Sequence, residues 1–130
     1  MSITIEQLAD AIQKELTLYG ENVTDGVKQA SDLVAGELLQ NTKNDAKASG
    51  IRGTGKYVRA MAVKKTKDDA FCRVNTWYVK KPQYRLAHLL EYGHALRNGG
   101  RARAFPHIKK NEERAVQEFN ELVEGVIRNG

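Results

Sequence analysis

The chain of 130 residues has one cysteine, two prolines, three histidines and few aromatics. A lone Cys72 excludes an internal disulfide and any multi-cysteine zinc site. Two prolines and 41% hydrophobic residues exclude a collagen-like fibre or a disordered tail. No apolar run approaches the roughly 20 residues of a membrane helix. The opening MSITIEQLADAIQKEL puts Glu6 and Asp10 where a secretory signal is basic and then apolar, so a protein of the reducing cytosol is expected. There is no GxSxG elbow and no P-loop: in Gly50–Lys56 (GIRGTGK), Lys56 precedes Tyr57 rather than Ser or Thr, and the stretch follows a helix. At 14.5 kDa the chain has the length of one domain, residues 1–130.

What is abundant is charge, unevenly distributed. Residues 1–50 carry 4 Lys/Arg against 8 Asp/Glu, residues 51–110 carry 15 against 3, and residues 111–130 carry 2 against 5. A basic middle between acidic ends fits a nucleic-acid surface, a charge-complementary contact between identical subunits, or acidic helices covering a basic sheet within one monomer.

Hydrophobic period places the elements. Thr4 and Gln7 form a capping-box pattern, and Ile5, Leu8, Ile12, Leu16 and Tyr19 share a helical face. Gly20 interrupts, and Val23, Val27, Ala30, Val34 and Leu38 resume the period, giving one long helix or two. Residues 44–56 read as a loop. Val58–Lys65 and Ala70–Trp77 read as a hairpin turning through Lys64–Asp69, with Ala70, Cys72 and Val74 on the inner face. Residues 78–84, with Lys80, Lys81 and Pro82, read as a second loop. Both loops are expected to be mobile in the free subunit and ordered by neighbours. Arg85–Tyr92 reads as a short helix ended by Gly93, Arg101–Phe105 as a third strand, and a final helix is capped near Asn111. The fold class is α+β: a long N-terminal helix or two, a small antiparallel sheet of three to four strands, a short helix, and a C-terminal helix packed on the sheet.

Chemistry-bearing residues are sparse. His88 and His94 are six apart, not the i, i+4 spacing of a helical metal pair, so no metal site, cofactor or catalytic residue is expected. A carboxylate–imidazole site from His88, Glu91 and His94 is the least favoured reading. The basic groups, with Trp77, Tyr78 and Tyr84 beside them, fit a nonspecific nucleic-acid-binding module, though no recognised motif accompanies them.

The segment His88–Ile108 (HLLEYGHALRNGGRARAFPHI) resembles the tail-completion, or head–tail joining, proteins of long-tailed bacteriophages. Its first block is His88, Leu89, Glu91, Tyr92 and Gly93; its second is Ala104, Phe105, Pro106, His107 and Ile108. Upstream, Gly53, Thr54, Gly55 and Tyr57 are similar to the turn that opens that family's sheet, whereas Lys109 and Lys110 depart from its usual Pro-Ala. The resemblance implies a structural virion protein without enzymatic activity or membrane contact. It would form a ring, expected to be hexameric, between the head-closure or connector proteins and the tail terminator. Genome DNA would pass its lumen without sequence-specific contact, and assembly would occur in the host cytoplasm. The interface candidates are Lys80, Lys81, Glu91, Tyr92, Arg101, Arg103 and Phe105. Glu91, the only acid between Asp69 and Glu112, is a candidate partner for Arg101 or Arg103. In a strand, Arg101, Arg103 and Phe105 share one face, as a docking edge would.

Overall fold

The computed structural model describes residues 4–49 and 54–129. Its first element is a helix of 44 residues, α1 (Ile5–Ala48), about 66 Å long at 1.5 Å per residue. The capping box forms as expected: the Thr4 hydroxyl accepts from the Gln7 N–H (3.2 Å) while the Gln7 side chain accepts from the Thr4 N–H (3.1 Å). Gly20 does not break the helix. Gly26 has a packing role, since a Cβ there would lie 2.6 Å from Val126 Cγ1.

Residues 44–48 and 54–56 are not part of the expected loop but helical. Residues 44–48 are the last turn of α1, and residues 54–56 begin α2 (Thr54–Ala60). Burial explains the difference: Ala46, Tyr57 and Val58 are enclosed in the main core, and that gain outweighs the weak local period. Gly50 and Gly53, named above, lie outside the described residues.

Strands β1 (Met61–Asp68) and β2 (Arg73–Val79) form an antiparallel hairpin. Both strands lie two to three residues later than expected, Val58–Ala60 being helical in α2, and the reversal falls at Asp69–Cys72 rather than Lys64–Asp69. The Asp69 carboxylate accepts from the N–H groups of Phe71 and Cys72 (both 2.9 Å), a local side-chain turn that overrides the charged run. The expected inner face is also reversed. Val74 is exposed and Cys72 half-buried, whereas Arg73 and Asn75 face α1. Arg73 Nη1 lies 2.7 Å from Asp32, and the Asn75 amide donates to Ser31 (2.9 Å) and Asp32 (3.0 Å). Hydrogen bonds from Asn75 and the Arg73 charge outweigh partial burial and hold the Asp32 carboxyl below its ordinary value. Paired polar groups thus occupy an inward face that hydrophobicity alone assigns outward.

Helix α3 (Tyr84–Tyr92) begins one residue earlier than expected, and Tyr78 and Val79 belong to β2, so the second loop shrinks to residues 80–83. The third strand is reduced to a two-residue ribbon, β3 (His94–Ala95) with β4 (Arg101–Ala102). Among the described residues four strands form, split into two ribbons rather than one sheet. Helix α4 (Lys109–Asn129) runs antiparallel to α1, from the Asn111–Asp45 contact to the Tyr19–Ile127 contact. It shares with the hairpin a groove lined by Trp77 and Asn75 on one side and Ala115 and Phe119 on the other. The α+β architecture stands: long N-terminal helix, antiparallel strands, short helix and packed C-terminal helix.

The core is small and lies at one end. Ala46, Tyr57, Val58, Ala60, Met61 and Val79 form it where α1, α2, the hairpin root and α3 meet. Ala30 and Val34 add a narrow seam under α4. The chain exposes 9558 Å², against roughly 6,900 Å² for a compact monomer of this mass by surface scaling. Among the described residues no helix is long and apolar enough to cross a membrane.

Candidate functional site

The stretch from His88 to Lys109 folds into a compact unit around one carboxylate. Ala87, Leu90 and Glu91 form the inner face of α3, three and four residues apart as a helical face requires. Gly93 ends the helix at φ 73° and ψ 177°, a conformation that only glycine adopts readily. A Cβ there would lie 2.6 Å from the Ala102 carbonyl oxygen, so β4 passes directly against the glycine. The chain reverses through Asn98–Gly100 and returns, and the Phe105 N–H donates to the Leu90 carbonyl.

Glu91 then meets the start of α4. Its Oε1 accepts from the N–H groups of His107 (2.7 Å) and Ile108 (2.9 Å), and its Oε2 accepts from Lys109 (3.0 Å). A helix start leaves such donors without intrahelical partners, and its positive dipole end favours a carboxylate. The cap expected from Asn111 is thus supplied by a residue from another helix. Asn111 lies inside α4, buried, with its amide donating to Asp45 (2.8 Å) and the His107 carbonyl (2.7 Å). Burial pushes the Glu91 carboxyl up, but the three backbone donors outweigh it and hold the group below its ordinary value.

A second buried layer sits against it. The His107 ring is fully enclosed: Nδ1 lies 2.7 Å from the Phe105 carbonyl and Nε2 lies 2.7 Å from the Tyr57 hydroxyl. The geometry fits Nδ1–H donating to the carbonyl and Nε2 accepting from the phenol. Burial, with the Glu91 charge adding to it, pushes the Tyr57 hydroxyl well above its usual range and keeps it a donor. Tyr57, Glu91, His107 and Asn111 thereby join α2, α3, α4 and the end of α1. The two sequence blocks quoted above are one structural unit, bonded through Glu91. Sequence reasoning missed the roles of Tyr57 and His107; the one available signal was an acid alone in a basic stretch.

Glu91 is therefore corrected as an interface candidate and as a partner for either arginine. It is buried with both oxygens engaged, whereas the Arg101 guanidinium donates to the Tyr92 carbonyl (3.1 Å) and Arg103 lies over the Phe105 ring, 5.1 Å from its centroid. The remaining candidates lie outward. Lys80, Lys81, Tyr92, Arg101 and Arg103 are exposed, and Phe105 is half-buried. Tyr92 stacks at a tilt on His88, with centroids 5.0 Å apart. His88 and Glu91 border an open cleft of about 330 Å³ with Glu112 and Lys109, while His94 is turned elsewhere, its Nδ1 enclosed without a partner. Among the described residues no three His, Cys, Asp or Glu side chains converge in a metal-holding group. The arrangement fixes α3 and the β3–β4 ribbon on the start of α4. No protein-family model, curated protein or solved structure matches the chain.

Proposed function

We propose that this chain is a structural virion protein of a long-tailed phage, a neck or tail-completion component that forms a ring between the head connector and the tail terminator. The observation that carries this reading is the surface: about 2,700 Å² beyond what a compact monomer of this mass exposes, with large apolar side chains bare on the N-terminal arm of α1 and on the outer face of α3. A subunit whose stability and contacts are completed by neighbours has that character. The Glu91-centred unit supports the family resemblance, because it gives both motif blocks a common physical role: holding α3 and the arginine-bearing ribbon rigidly on the start of α4. On this reading the protein acts by docking and performs no catalysis. Six basic side chains between Lys80 and Arg103 would face partner proteins, or the passing genome without reading its bases.

The test is genetic and structural. Removing the chain from its phage should leave filled heads and finished tails that fail to join, with joining restored by supplying the protein in trans. Normal infectious particles without it would overturn the proposal. Salt-steep binding to duplex DNA by the isolated chain, with no defect in particles, would favour the nucleic-acid module instead.

A further inference from the structure

Helix α1 has one apolar stripe but two fates for it. A period of 3.6 residues puts Ile5, Leu8, Ile12, Leu16 and Tyr19 in line with Val23, Gly26, Ala30 and Val34. Under α4 the stripe is covered, with Ala30 and Val34 only 6% and 7% exposed. The cover stops where the Tyr19 hydroxyl donates to the Ile127 carbonyl, at the C-terminal end of α4. Beyond it every residue from Thr4 to Glu21 is exposed, including Ile5 at 87% and Leu16 at 65%. This arm bears Glu6, Asp10, Glu15 and Glu21 against Lys14 alone.

A surface of opposite character lies at the other end of the chain. The outer face of α3 exposes Leu86, Leu89 and Tyr92, with Tyr84 and Leu96 beside them. Around it stand Lys80, Lys81, Arg85, Arg97, Arg101 and Arg103, and the one acid of that stretch, Glu91, is buried and engaged. We propose that the N-terminal arm of α1 docks on the outer face of α3 in a second copy of the chain, acid rim against basic rim. The contact cannot form within one chain, because α3 is tied to the Asp45 end of α1, about 50 Å along the helix from Ile12. Repeated head to tail, such a contact closes into a ring when its rotation permits. For the ring the inference rests on the function proposed above; the contact itself does not.

The size of the arm sets the strength. About 21 Å of helix, half its circumference covered, offers on the order of 400 Å² per partner, at the weak end of specific interfaces. One contact should be transient and salt-sensitive, and a closed ring, in which every copy makes two, should be far more stable.

The test uses the full chain in four forms, followed by sedimentation velocity at low ionic strength. Glu6→Lys with Asp10→Lys takes the arm from −3 to +1; Arg85→Glu, Arg97→Glu, Arg101→Glu and Arg103→Glu together take the platform from +6 to −2. All six side chains are exposed, and unchanged circular dichroism and melting temperature confirm the fold. The wild type should self-associate with concentration, and each reversed form should associate about tenfold more weakly or worse. A mixture of the two reversed forms should regain assembly, because each arm then meets a platform of opposite sign on the other form, and one chain carrying all six changes should regain it alone. A platform-reversed form that dimerises as tightly as the wild type shows arm-to-arm pairing and overturns the proposal. So does a wild type that stays monomeric at its highest soluble concentration, or a combined variant that gains nothing over either reversed form. Particle joining reads the function separately: a ring seen in virions but indifferent to these changes rejects this contact and leaves the neck reading intact.

Discussion

Replacing Glu91 by Gln keeps the side chain's shape and removes its charge. The carboxylate accepts three N–H groups at 2.7–3.0 Å. A Gln amide has one oxygen, so it can serve two of the three donors at most, and its NH₂ then faces the third. Hydrogen bonds to a charged group contribute about 1.5–3 kcal/mol, and the helix-end dipole adds some tenths. Losing one such bond and weakening two predicts a cost of about 3 kcal/mol. For a domain of this length that corresponds to a fall in melting temperature of roughly 10 °C. The pH dependence carries the sign. Because the folded Glu91 pKa is depressed, its contribution is present above the unfolded value and is lost as pH falls through the folded value. The gap between wild type and Glu91→Gln should therefore be constant from neutral pH down to the ordinary carboxylate range and close below it. Differential scanning calorimetry across that range is the assay. A melting temperature unchanged at pH 7, or a gap that persists undiminished in strong acid, would refute the account of Glu91 as an ionised cap.

Gly93→Ala should cost about 2 kcal/mol or more by chemical denaturation, since the residue sits at φ 73° and its Cβ would meet the Ala102 carbonyl at 2.6 Å. Tyr57→Phe deletes the partner of the buried His107 Nε2 and should cost about 1–2 kcal/mol, with little change in the far-ultraviolet spectrum. Glu118→Gln should act in the opposite direction. The Glu37 side chain facing Glu118 holds its carboxyl above the ordinary value, so the pair disfavours the fold once both are ionised. Stability should rise at neutral pH and match wild type near pH 4; a loss at neutral pH would show that the pair is favourable.

The parts of the fold legible in the sequence are those set by neighbours along the chain. Thr4 and Gln7 cap α1 from three residues apart, Leu86 to Tyr92 show a helical period, and Gly93 stands where a helix stop belongs. What was hidden depends on distant partners. Thr54–Ala60 becomes helical because Tyr57 and Val58 enter a core built by α1 and the hairpin. The faces of β2 were misassigned because Arg73 and Asn75 are polar yet inward, satisfied by Asp32 and Ser31 some forty residues earlier. At the candidate site, the exposure of the lysines and arginines was legible from charge alone. The role of Glu91 was not, because its donors lie 16 to 18 residues away on an element whose start was itself misplaced.

The unbroken length of α1 has a mechanical consequence. One end is clamped in the core through Ala46 and Asp45, the middle is gripped by α4 and the hairpin, and the far end stands free in solvent. Such a helix is a lever with its fulcrum near Tyr19 and no hinge along its span, Gly20 included. A tilt of about 5° at that fulcrum would move the tip, about 21 Å away, by about 2 Å. Small adjustments in the grip of α4 on α1 would thus be felt at Ile5, and a load applied at Ile5 would be passed along the unbroken helix to that grip.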